Sequence, residues 1–106
     1  MGILDESGLD TLDMFIEFLK AGRPGTKVVV AEFRNGIFKE DIVKAGRQMR
    51  DCKYSIAAYL HNNEVGVLVR EDVVDTFRNV AEKGCGNTAD YQVYDPNKFL
   101  DKKKNQ

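Results

Sequence analysis

The sequence predicts an α+β domain in which an N-terminal helix precedes the element order βαββαβ. Three observations carry that expectation. Residues 54–70, YSIAAYLHNNEVGVLVR, alternate with a period of two on both sides of Asn62-Asn63, the pattern of a β-hairpin. Residues 27–33, KVVVAEF, place three consecutive valines in one short run, as a central strand buried on both sides does. Residues 38–52 and 71–84 instead repeat apolar side chains at helical spacing.

Taken in order, residues 1–22 hold an amphipathic helix. Ser7 and Asp10 resemble a capping box with Asp in place of Glu, and Gly22 followed by Pro24 ends the element. Leu9, Leu12, Phe15, Ile16 and Leu19 form its stripe, while Met14 and Phe18 widen the apolar arc to about 220° at 100° per residue. A surface helix packed on one core shows a narrower stripe. Asp10, Asp13 and Glu17 occupy the remaining side. In the second helix Ile42, Ala45, Gly46 and Met49 turn inward, and Gly46 marks a close approach of backbone to its neighbour. In the hairpin, asparagine tolerates the positive φ that tight two-residue turns require. Its second side carries Ala57, Tyr59, Gly66 and Leu68, which is too apolar for a wet face. The sheet is therefore expected to be covered on both faces or to meet a partner there. Glu71-Asp72 opens a third helix with Val73, Val74, Phe77, Val80 and Ala81 inside, and residues 90–94 form the last strand. Pro96 reads as the stop of that strand, and residues 101–106 as a disordered basic tail.

This order is that of the ferredoxin-like split βαβ arrangement, a four-stranded antiparallel sheet with two helices on one face. Residues 1–100 then make one domain, with 27–95 as its core and the N-terminal helix laid over the other face. A chain of 106 residues supports a single core of this size. Net charge of −1 excludes strong overall attraction to nucleic acid or to an anionic membrane. Two cysteines and no apolar run of spanning length lead to the expectation of a cytoplasmic protein without a membrane segment.

The residues offer little assembled chemistry. His61 is the only histidine and has no companion at metal-ligand or dyad spacing, so no metal and no cofactor are expected. Cys85 lies between glycines with no nearby group that lowers its pKa. An RNA-recognition sheet needs aromatics at set positions of its central strands, where this chain has valines and leucine. Arg34-Asn35-Gly36-Ile37-Phe38-Lys39, between the first strand and the next helix, resembles the phosphate-cradling loop of the acylphosphatase family. That family pattern is a Gly, an Arg, then Gly-Val-x-Phe-Arg. The resemblance implies an acyl-phosphate hydrolase in which Asn62 or Asn63 positions water. The leading glycine is absent, and Lys39 replaces an arginine whose fork would hold phosphate.

Two surfaces remain. The first is apolar, with interface candidates Leu9, Leu12, Met14, Phe15 and Phe18 on the N-terminal helix and Tyr59 and Leu68 on the sheet. The second is basic, with Lys39, Lys44, Arg47, Arg50 and Lys53 in or beside the second helix, an arrangement that contacts phosphates. Charge is also segregated: residues 1–19 hold five acids and no base, and residues 98–104 hold four lysines and one acid, which orients charged partners. The functional expectation is a non-catalytic accessory or inhibitory factor that binds protein, with homodimerisation through the N-terminal helix or a sheet edge. Nucleic-acid binding through the second helix is the alternative, and an acylphosphatase-like hydrolase the third reading.

Overall fold

A computed structural model describes residues 8–104. The elements are α1 (Leu12–Lys20), β1 (Thr26–Phe33), α2 (Lys39–Arg50), β2 (Ser55–His61), β3 (Glu64–Arg70), α3 (Val74–Cys85), β4 (Ala89–Tyr94) and α4 (Pro96–Lys104). A single 3₁₀ turn, Glu71–Val73, leads into α3. The strands form one antiparallel sheet in the order β2-β3-β1-β4, which is the ferredoxin-like arrangement. Among the described residues no helix is long and apolar enough to cross a membrane.

The valine run of β1 divides as its period of two dictates. Val29, Ala31 and Phe33 enter a first core beneath α2 and α3, with Val65, Val67 and Val69 of β3, Ile42 and Met49 of α2, and Phe77 of α3. Val28 and Val30 enter a second core with Tyr59 and Leu68, covered by Phe15 and Leu19 of α1 and Phe99 of α4. Both sheet faces are therefore dry. That accounts for the apolar second side of the hairpin.

Several expectations change. The capping position Ser7 lies outside the described residues, and α1 starts instead after Thr11, whose Oγ1 accepts from Met14 N at 3.2 Å. Leu9 precedes the helix and belongs to the first core, on the opposite face of the sheet from α1. Between them Asp10 bridges β2, so the chain wraps around that edge. Ile56 has no partner in β3, because the register slips between Ser55 and Ala57, and it is 46% exposed. Val80 likewise lies outside the α3 core stripe and is exposed. Pro96 stands just past the end of β4, as expected, but the chain beyond it is ordered. The proline opens α4, where its missing N–H costs nothing, and residues up to Lys104 are helical rather than a disordered tail.

Candidate functional site

The second face concentrates the polar chemistry of the fold. Its core is aromatic: Phe15 and Tyr59 have ring centroids 4.8 Å apart, and Phe99 stands edge-on to Phe15 at 5.7 Å. Tyr59 faces Gly66 across the β2–β3 ladder, and its ring lies where a side chain at position 66 would project. Glycine is required there because any Cβ would collide with the ring. The buried Tyr59 hydroxyl donates to Glu64, and Lys103 Nζ donates to the same carboxylate oxygen at 2.7 Å. Burial, reinforced by the Glu64 hydrogen bond, pushes the Tyr59 phenol far above its usual pKa, so it remains a donor.

Glu64 is one of a row. Register places His61, Glu64, Glu32 and Asp90 opposite one another across all four strands. Glu32 continues the Val28, Val30 alternation, so the row points to the second face. Like charges directly opposite destabilise a sheet. The lysines of α4 and Arg34 offset this: Lys103 pairs with Glu64, and Arg34 with Asp90 at 3.0 Å. Lys102 Nζ lies 2.7 Å from the Tyr94 hydroxyl. That bond raises the Lys102 pKa, and the fields of Glu64 and Glu32 act in the same direction. This polar cluster anchors α4 to the sheet. Among the described residues no cluster of His, Cys, Asp and Glu is arranged to hold a metal ion.

The apolar interface candidates separate sharply. Leu9, Phe15, Tyr59 and Leu68 are core residues with at most 1% exposure, which removes them as contacts on the folded chain. Leu12 and Phe18 are half-buried, and Met14 is 39% exposed. The Arg23 guanidinium lies 3.9 Å from the Phe18 ring centroid and covers part of that ring. Outward apolar surface on α1 is thus centred on Met14, with Asp13 and Glu17 exposed beside it.

The basic candidates do not form one free stripe. Arg50 is turned to structural use: Nη1 donates to Gly8 O at 2.6 Å, and Nε to Asp51 at 2.9 Å. Lys39, Lys44, Arg47 and Lys53 are exposed, but Lys44 shares a shallow depression between α2 and α3 with Asp41, and Lys53 lies over the Tyr54 ring. Cys85 ends α3 half-buried in the same depression.

The loop resembling an acylphosphatase cradle is also committed elsewhere. A cradle uses backbone N–H groups and arginine to bind phosphate. Here Arg34 N donates to Thr88 O, Ile37 N to Arg34 O, and the Arg34 side chain to Asp90. Asn63 Nδ2 is spent on Phe33 O. Phe38 stands 72% exposed. The stacking aromatics of an RNA-recognition sheet are absent as well, because Phe33 and Tyr59 are both buried.

The sequence missed the role of α4 and the acidic row. Asp95-Pro96, with Phe99 and Lys103 one turn apart on one side, was the available helix signal. Pairing of Lys103 with Glu64 across 39 positions had no local trace. No protein-family model matches this chain, and no curated protein or solved structure does.

Proposed function

We propose that this is a non-catalytic binding protein, an accessory or inhibitory factor, that grips another protein through the outer side of α1. The observation that carries the reading is apolar surface beyond what the core uses. Phe15 and Leu19 already seal the second core, yet Met14 is 39% exposed, with half-buried Phe18 one turn away on the same side. The exposed carboxylates Asp13 and Glu17 fit a partner whose contact rim is basic. The strongly perturbed tyrosines also fit a structural role, since Tyr59 donates to Glu64 and Tyr91 to Ala81 O at 3.2 Å.

Met14→Glu tests the reading, because a surface charge at this exposed position leaves the core intact. Quantitative affinity capture should recover a protein with the wild-type chain and lose it roughly tenfold with the variant, about 1.4 kcal/mol of binding. Thermal midpoints should agree between the two. Equal capture by both folded proteins contradicts the α1 assignment.

A further inference from the structure

The two sheet edges are not equally exposed. Beyond β2 the chain supplies its own extra bridge, Asp10 with Tyr59, and the strand is bent by the register shift at Ile56. Beyond β4, no described residue pairs with the outer side, and its six residues Ala89–Tyr94 run against β1 without a register shift. The strand contains no proline and no lysine, the residues that usually blunt an edge.

The hydrogen-bond phase of that edge follows from the ladder. Arg34 N donates to Thr88 O, and this pair continues the β1–β4 register. Even-numbered residues of β4 therefore point their backbone groups at β1, and Ala89, Tyr91 and Val93 point theirs outward. We propose that these outward groups pair with the same strand of a second copy, antiparallel, about a two-fold axis perpendicular to the sheet. Such an axis preserves the faces, so residues of equal parity must oppose each other.

A register centred on Gln92 satisfies every condition at once. Tyr91 opposes Val93 of the second copy, so outward groups meet outward groups on the face of the first core, where Val93 is 36% exposed. Asp90 opposes Tyr94, whose hydroxyl holds Lys102. The acid at one end of the strand thereby meets the cation at the other end of its symmetry mate, twice per dimer. Gln92 meets itself on the axis. No like charges oppose one another. The result is one sheet continuous across both copies, leaving Met14 clear of the junction.

Sedimentation equilibrium of the full chain over a wide concentration range tests this directly. The wild type should rise from 12.0 kDa towards twice that mass. Val93→Pro deletes an outward N–H without touching the β1 ladder, and should stay at one chain mass with an unchanged circular dichroism spectrum. If that variant fails to fold, Val93→Lys places charge at the same junction and should likewise stay monomeric. Met14→Glu should associate as the wild type does, which separates this inference from the α1 reading. A wild type that remains at 12.0 kDa up to about 1 mM, folded Val93 variants that still pair, or a Met14→Glu chain that alone loses pairing would each overturn it.

Discussion

At the β2 edge the chain covers its own backbone, whereas at the β4 edge it leaves a straight strand uncovered by any described residue. Asp10 N donates to Ala58 O and Leu60 N to Asp10 O, both at 3.1 Å. Leu9 is buried just before that bridge, and Arg50 holds the carbonyl of Gly8. No described residue plays such a part beyond Tyr91 and Val93; the flanking ion pairs Arg34–Asp90 and Lys27–Asp95 instead fix the strand against its own sheet. One edge is finished by the fold, and the other is held rigid with its hydrogen-bonding groups outward. An uncovered edge is a pairing template. The contrast therefore locates where association can occur without rearranging the core.

Substitutions at the closed edge break the comparison most strongly. Leu9→Ala should cost about 2–5 kcal/mol by cavity formation and loosen the bridge at Asp10, read as a lower denaturation midpoint. Gly66→Ala should cost about 3 kcal/mol, near the upper end for overpacking, because the new methyl group displaces the Tyr59 ring that lies across β3. Its signature is loss of near-ultraviolet tyrosine dichroism together with stability. Arg50→Ala should cost about 1 kcal/mol and speed hydrogen exchange at the Leu60 amide while leaving the β4 amides unchanged. The smallest effect belongs to Asp10. Burial raises its carboxyl pKa in the folded chain, so the native state holds the proton more tightly and loses stability as pH rises above about 3.8. Asp10→Asn should remove that loss: the variant should gain on the wild type as pH rises above about 3.8, with their difference constant once the carboxyl is ionised in the folded chain. Parallel pH-denaturation curves would contradict it.

What was legible in the sequence was local and periodic. Val28 to Phe33 announced a strand with two buried faces, and Ile42, Gly46 and Met49 announced the inward side of α2. Even the suspicion about Gly46 had a specific cause: a Cβ there would sit 2.8 Å from Leu9 Cδ1 and 3.3 Å from Val65 Cγ2. The neighbour, however, is a side chain from before α1, which no spacing rule could supply. The stripe from Leu9 to Leu19 has the period of one helix, yet the Asp10 bridge sends Leu9 to the opposite face. The lysines of α4 looked like a solvated tail, since the carboxylate that binds Lys103 lies in β3. Of the proposed contact surface, Met14 was legible from the width of the apolar arc. The β4 edge was not, because an edge is a property of strand order and the residues of β4 resemble those of any short strand.

Backbone amide exchange, followed residue by residue in the full chain at low and high protein concentration, tests the contrast between edges most directly. Leu60 should be protected equally at both concentrations, since its N–H is bonded within the chain. Tyr91 and Val93 should exchange freely when dilute and become protected when concentrated, while the alternate residues Asp90 and Gln92 stay protected throughout. Concentration-independent exchange at Tyr91 and Val93 would contradict the account, because it would leave the open edge without a partner of its own kind.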